Sequence, residues 1–400
     1  MMATKIKSSK PPVFVLGLSA TGLSVGRIFS ARGVQVFGTD RKNGQIGRYS
    51  KHIIKPPFGY IAKENSLLDD LIEFSKNLAV KPILIPSDDE FIEFISRNAK
   101  ELKGHYLFNS SYEKETSEKF LNKKKFYRLC EEHGVAVPKS LYLSGHEMLN
   151  NILAEIRFPF IIKPDLIHRW KKKLHGNKVL LVSTAEDFKQ VVDKYDGILS
   201  QSTIQEVIPG PESNIFLFKG YFSEATGECI ADFTGQKIRQ VPINFGSGSF
   251  VKSIINEEVR EISKAFLKSC NFRGLCGSEF KYDNRDGKYK MIEVNIRPQL
   301  WEDLTRVSLR DVLWYAYADL VGLPDVSVPE QKNGKSWSYF LRDITTTLEL
   351  KKRTGLSIID WLTSYKYLST DAILDMQDPF ATLIAPFLTV KQVINYFKGR

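Results

Sequence analysis

Cysteine and histidine are scarce in this chain: 400 residues carry four cysteines and six histidines. Cys130, Cys229, Cys270 and Cys276 form no CxxC pair, and the histidines lack ligand spacing. Neither a zinc site nor a disulfide framework is indicated, which fits a reducing cytoplasm. Long apolar runs are missing too, and no stretch approaches the roughly 20 residues of a membrane-spanning helix. The run Val13-Phe-Val-Leu16 follows Lys5, Lys7 and Lys10, but it is too short for an export signal and reads as a first β-strand. Negative charge falls short of positive, leaving a formal net charge of +11. Such an excess can serve nucleic acid or an anionic membrane surface. The lysines, however, cluster at Lys123-Lys124-Lys125 and at Arg169-Trp-Lys171-Lys172-Lys173. No nucleic-acid-binding motif accompanies them, so no nucleic-acid partner is expected.

What is present is enough apolar material, 42% of residues, for two or three domains with proper cores. Residues Val13 to Asp40 read as strand, Gly-containing turn, helix and strand, a βαβ opening of Rossmann type. Its glycines match a dinucleotide fingerprint only loosely, so the turn reads first as a feature of the fold. Lys81-Pro-Ile-Leu-Ile-Pro adds a further buried strand before a polar loop, and this first domain is expected to end near residue 115. Phe126 to His133 then form an amphipathic helix stopped at Gly134. Phe158-Pro-Phe-Ile-Ile-Lys163-Pro164 is a buried strand closed by a lysine, which is costly unless an anion pairs with it. Val179-Leu-Leu-Val182 and Ser202-Thr-Ile-Gln-Glu-Val-Ile208 return as strands, the second breaking at Pro209-Gly-Pro211-Glu212. The order suits an α+β domain with antiparallel sheets.

The segment from Gly277 to Arg297 carries the most chemistry. Gly277-Ser-Glu279-Phe-Lys-Tyr282 and Met291-Ile-Glu293-Val-Asn295-Ile296 flank the turn-forming Asn284-Arg-Asp-Gly287, a hairpin signal. Period-two alternation puts Glu279, Glu293, Asn295 and Arg297 on one face. Pairing Asp283 with Tyr289 would set Glu279 opposite Glu293. Two carboxylates about 5 Å apart repel by about 3 kcal/mol at an effective dielectric near 20, which a divalent cation would reverse. Oxygen donors without His or Cys suit Mg²⁺ or Mn²⁺ bound together with phosphates.

Together these landmarks resemble the ATP-grasp superfamily, and more narrowly its carboxylate-amine ligases of the D-aspartate ligase-like kind. The resemblance runs from about Val13 to about Arg310. It rests on the βαβ opening, Asn122-Lys123 before the helix ending in Gly-Val-Ala-Val-Pro138, Pro159-Phe-Ile-Ile-Lys163-Pro, Gln205-Glu206-Val-Ile-Pro-Gly210-Pro-Glu212, and the hairpin. It implies an α/β plus α+β chain. A Rossmann-like pre-ATP-grasp domain over 1–115 would precede an ATP-grasp domain over 116–310, whose two subdomains clamp ATP and whose lid is about 135–203. A mostly helical extension would follow over 311–400, with Pro386 interrupting any single terminal helix.

By that resemblance Lys123 and Lys163 hold nucleotide phosphates, with Lys178 where the chain re-enters the sheet. The Gln205, Glu206, Val207 and Ile208 strand bonds adenine through its backbone, Gln205 or Glu206 reaching the amino group, while Glu212 holds the ribose. Glu279, Glu293 and Asn295 ligate magnesium between the phosphates, Arg297 acts on the transferred phosphate, and Arg239 orients the acid substrate. A glycine-rich flap common in the superfamily is replaced by Asp165 to Lys178, with the single glycine Gly176. The implied reaction activates a substrate carboxylate as an acyl phosphate using ATP and couples it to an amine, which needs no covalent nucleophile. The expected partners are small-molecule acid and amine substrates, with a homodimer possible. Three alternatives stay open: bicarbonate activation of the carbamoyl-phosphate synthase or carboxylase kind, a nicotinamide-dependent oxidoreductase, and a non-catalytic nucleotide-binding protein. At the C-terminus, a cap packed on the body competes with an amphipathic helix docking peripherally on a membrane.

Overall fold

The computed structural model describes residues 10–398 except 64, 143–148, 171–172, 175–176, 196, 325–326 and 346–354. The first unit is a parallel sheet in which β1 (Val13–Leu16) lies between β2 (Val36–Thr39) and β3 (Ile83–Pro86). All twelve of these strand residues are buried, as expected where helices cover both faces of a parallel sheet. The first turn is built for close packing: Gly17 has φ +97°, and a Cβ there would meet Ser87 Oγ at 2.2 Å. Asp40, at the end of β2, is buried and accepts main-chain hydrogen bonds from Leu18 (2.6 Å) and Lys42 (2.7 Å). Its oxygens bind the protein's own turn, so the acid that would hold a dinucleotide ribose in such a fold is engaged here.

A second unit is the antiparallel sheet β4 (Ser140–Tyr142), β7 (Ser202–Glu206), β5 (Phe160–Pro164) and β6 (Leu180–Val182), in that spatial order. It has its own core, with Phe160, Ile162, Trp170, Phe188 and Ile204 packed together.

The third unit is a seven-stranded sheet. Its strands are β8 (Ile215–Phe222), β9 (Cys229–Val241), β10 (Ser247–Ser253), β11 (Gly274–Asp283), β12 (Lys288–Asn295), β13 (Ser336–Ser338) and β14 (Thr370–Asp371), in the order β12-β11-β8-β9-β10-β13-β14. Strand β8 packs on both faces: Ile215, Leu217 and Tyr221 join one core, Phe218 and Phe222 the other. Each such side chain contributes roughly 1.5–3 kcal/mol by burial, so the sheet's position is fixed from two sides.

The C-terminal part is mainly helical among the described residues and adds two short strands to the large sheet. Ser336-Trp337-Ser338 pairs antiparallel with β10, and β14 adds to β13 in parallel. A fully buried Trp337 flanked by serines is strand-like alternation rather than a helical stripe. The terminal helix is likewise continuous, from Pro379 to Lys398 with Pro386 inside it. One proline removes one hydrogen bond and bends a helix without having to end it. Ala381 and Ala385 are buried, and fully buried Asp378 accepts from Arg27 (3.1 Å), Ser50 (2.7 Å) and the Lys51 amide (3.2 Å). The start of this helix is thus tied to the first unit. Among the described residues no helix is long and apolar enough to cross a membrane.

Candidate active site

The three units meet around a cleft of about 380 Å³ lined by residues from each. At its centre is the β11–β12 hairpin. Glu279 does face Glu293, but not in the register expected from the turn: Asp283 pairs with Lys288, and the frame recovers through an irregularity between Glu279 and Phe280. Phe280 then pairs with Met291 and Ile292 is the extra residue. The bulge leaves Met291 in the core and sets both Ile292 and Glu293 on the cleft. Its freed groups bond elsewhere, the Met291 amide to Ala136 O (2.8 Å) and the Ile292 carbonyl from Tyr127 OH (2.7 Å). Alternation alone cannot register an inserted residue.

The repulsion expected between the two acids is met within the protein. Lys237 Nζ lies 2.7 Å from Glu279 and Lys123 Nζ 3.2 Å from Glu293, whose other oxygen accepts from Asn295 (2.9 Å). Burial raises the Glu293 pKa, but Lys123, Lys178, Lys163 and the Asn295 amide outweigh it and hold this carboxyl well below its usual range. The acid pair therefore does not by itself require a cation. Among the described residues no cluster of three or more His, Cys, Asp or Glu could hold a metal. The donor set of two carboxylates and an amide nevertheless fits a hard ion that takes its remaining ligands from phosphates and water.

Lysines gather on the same side. Lys123 is the first residue of the helix Lys123–Glu132, fixed by the Asn122 side chain accepting from the Lys125 amide (2.9 Å). Lys163, 8% exposed on β5, donates to Tyr127 OH (2.7 Å). Burial lowers its pKa, with Glu293 and Glu279 acting against the shift. Lys178 lines the cleft and donates to Ser247 Oγ (3.2 Å). Of the segment between these two lysines, Lys171, Lys172, His175 and Gly176 lie outside the described residues.

The cleft is also lined by Gln205, Glu206, Val207 and Ile208. Both polar side chains expected to reach adenine are engaged. Gln205 donates to Ser140 Oγ (2.9 Å), while Glu206 accepts from the Lys139 amide (2.9 Å), Arg285 (2.7 Å) and Lys290 (3.3 Å). The main-chain groups of Val207 and Ile208, by contrast, make no hydrogen bond among the described residues. Unpaired backbone groups beside a cleft are what a flat heterocycle edge can satisfy. Glu212 sits outside the lining, in the turn Glu212–Asn214, and accepts from the amide of Asn244, which does line the cleft (3.1 Å).

Arg297 closes the hairpin face and donates to Asp89 Oδ1 (2.6 Å). Burial alone would lower its pKa; Asp89 outweighs this and raises it, so the guanidinium stays charged. Beneath it, Lys219 and Glu302 form a fully buried pair at 2.9 Å. Lys219 also donates to the Arg297 carbonyl (3.1 Å), and Glu302 accepts from the Gln299 amide (2.9 Å).

Arg239 does not reach the cleft, contrary to expectation. Irregularities in the β9–β10 register leave Ile238 and Ser249 without partners, so Lys237 and Arg239 no longer share a face. Lys237 and Gln240 line the cleft. Arg239 is buried on the far side, 2.8 Å from Asp343 and stacked 4.3 Å from the Phe250 ring. Sequence reasoning missed Lys237, Asp89 and Arg342 as cleft residues. Lys237 stands only two positions before Arg239 and was the readable alternative to it, while Asp89 and Arg297 are partners across 208 positions.

No family model matches the chain. It is 27% identical over 266 residues to D-aspartate ligase of Enterococcus faecium (strain Aus0004), a match covering 62% of each chain. It is 24% identical over 186 residues to the carbamoyl phosphate synthase large chain of Methanoregula boonei (strain DSM 21154 / JCM 14090 / 6A8), covering 44% of this chain and 16% of that one. The chain thus spans less than two thirds of the length of the curated relatives it matches. Its fold superposes on the ADP complex of N5-carboxyaminoimidazole ribonucleotide synthetase with a TM-score of 0.62 at 14% identity, covering 82% and 81% of the two chains. The chain thus shares the fold of N5-carboxyaminoimidazole ribonucleotide synthetase, and in sequence it is similar to a D-aspartate ligase.

Proposed function

We propose that the chain is an ATP-dependent carboxylate-amine ligase. One observation carries the reading: a single cleft holds a lysine cluster, an oxygen-only acid pair with its amide, and a guanidinium beyond them. Lys123, Lys163 and Lys178 receive the phosphates, the Val207 and Ile208 backbone receives adenine, and Glu212 is at the rim for the ribose. Glu279, Glu293 and Asn295 would hold Mg²⁺ or Mn²⁺, which supplies charge neutralisation between the phosphates. Residues 135–203 act as the lid carrying Lys163 and Lys178, over a body of 116–310 flanked by 1–115 and 311–400. A cytoplasmic setting suits the free cysteines.

A carboxylate oxygen attacks the γ-phosphorus, the bond from that phosphorus to the β–γ bridging oxygen breaks, and ADP leaves. The amine then attacks the acyl carbon and the carbon–oxygen bond to phosphate breaks. Inorganic phosphate leaves and the surplus amine proton passes to solvent. Arg297, held by Asp89, faces the charge that develops on the transferred group; positioning and electrostatics are the main resources for such a transfer. The name of the Enterococcus relative makes an amino acid such as D-aspartate a first candidate acid.

Hydroxylamine as amine acceptor tests this without knowledge of the natural amine. Purified protein with ATP, Mg²⁺, hydroxylamine and a pool of amino acids is expected to release ADP and form hydroxamate in equal amounts; neither product with any acid would refute the reading. The carbamoyl phosphate synthase match favours a second reading, bicarbonate activation. It predicts bicarbonate-dependent ADP release with no other acid present.

The lowered pKa of Lys163 gives a pH signature. A lysine grips phosphate only while protonated, so its contribution is full below the lowered pKa and lost as pH rises through it. The alkaline fall of kcat/KM for ATP should lie below the 10.5 of an ordinary lysine, and Lys163→Arg should move it upward. A profile unchanged by Lys163→Arg would count against this role.

A further inference from the structure

We propose that Lys281 binds the sugar of the nucleotide, donating to a ribose hydroxyl oxygen, and so makes the cleft prefer a ribonucleotide to a deoxyribonucleotide. The inference rests on the nucleotide half of the ligase reading and adds to it a residue and a selectivity.

Lys281 lines the cleft two residues after Glu279 on β11. Alternation sends the intervening Phe280 into the core, where it is fully buried, so Glu279 and Lys281 share the cleft face about 7 Å apart along the strand. Across the hairpin Lys281 pairs with Lys290, whose ammonium lies 3.3 Å from Glu206, the residue before Val207. Lys281 thus stands between the acid pair and the strand end proposed for adenine. In ATP the unit between phosphates and base is the sugar.

The turn that carries Glu212 is fastened to the same lysine. Lys281 Nζ donates to Gly210 O (2.9 Å), two residues before Glu212. On its other side Lys281 pairs with Ile215, where β8 begins after that turn. Gly210 has φ +107°, a conformation that favours glycine and that turns its carbonyl to the lysine.

The donor chemistry suits a hydroxyl. A carboxylate only accepts hydrogen bonds and an ammonium only donates them, whereas a ribose hydroxyl does both. Glu212 and Lys281 therefore answer its two halves. The bond to Gly210 uses one of three ammonium donors, leaving two. Glu279 is paired with Lys237, and Glu206 with Arg285 and Lys290; among the described residues Lys281 has no ion pair. Lys163, Lys178 and Arg342 share that property, so it is the place beside the turn that singles out Lys281.

Calorimetric titration of the full chain with ATP, 2′-deoxy-ATP and 3′-deoxy-ATP, each with Mg²⁺, tests this. The wild type should bind ATP about 10-fold or more tightly than at least one of the two deoxynucleotides, the scale of a hydrogen bond to a charged group. Lys281→Met keeps the apolar stem and removes the ammonium. It should weaken ATP about 10-fold and that deoxynucleotide less than about twofold, so that the preference collapses. Should Lys281→Met fail to fold, Lys281→Gln, uncharged and one bond shorter, must show the same collapse. Equal weakening of all three nucleotides, which a phosphate contact or mere fastening of the turn would give, overturns the inference. Unchanged binding, or a wild type indifferent to both deoxynucleotides, overturns it too and leaves the ligase reading standing. No binding of any of the three by the wild type overturns both.

Discussion

Glu293→Gln is expected to lower kcat/KM by about a thousandfold, roughly 4 kcal/mol of transition-state stabilisation, while the protein stays folded. Glutamine preserves the shape and keeps one acceptor oxygen, for either Asn295 or Lys123, which lie 2.9 and 3.2 Å from the two oxygens of Glu293. What it removes is a negative charge that Lys123, Lys178 and Lys163 all face. In the proposed reaction that charge helps hold a divalent cation against the phosphates, and without it the lysines and the cation lose their common centre. ADP release measured alongside thermal unfolding checks the claim. A loss below about tenfold, or one accompanied by a collapse in stability, would contradict the role of Glu293.

Lys219→Met carries the largest expected effect on stability. Lys219 and Glu302 are both fully inaccessible and 2.9 Å apart. Removing the lysine strands a buried carboxylate, which costs about 3–5 kcal/mol, whereas replacing both partners by apolar residues is often close to neutral. The single variant should therefore unfold at markedly lower urea, and Lys219→Met with Glu302→Leu should recover much of the loss. The pair also holds the Arg297 carbonyl and the Gln299 amide, so the double variant should fold yet turn over ATP slowly. Equal stability of the single and double variants would refute the account of this pair.

The sequence made some of this legible and hid the rest for identifiable reasons. The hairpin at Asn284–Gly287, the lysine ending β5 and the Pro-Gly-Pro turn before Glu212 are local signals set by backbone chemistry. Of these elements, the hairpin strands and Lys163 meet in the cleft, whereas Glu212 stays outside its lining. Alternation failed where a residue is inserted: the extra Ile292 preserved the Glu279–Glu293 pairing by a different register, and the unpaired Ile238 exchanged the faces of Lys237 and Arg239. Partners far apart in sequence, such as Asp89 with Arg297 or Arg239 with Asp343, leave no local trace. The short β13 was hidden because three residues, Ser336-Trp337-Ser338, are too few to tell a period of two from a helical one without knowing their burial.

The proposed reaction is tested most directly by following oxygen. With an acid bearing ¹⁸O in both carboxylate oxygens, ATP, Mg²⁺ and hydroxylamine, each hydroxamate formed should be matched by one inorganic phosphate carrying a single ¹⁸O. The attacking carboxylate oxygen stays on phosphorus when the acyl–oxygen bond breaks. Unlabelled phosphate accompanying labelled hydroxamate would contradict activation of the acid as an acyl phosphate.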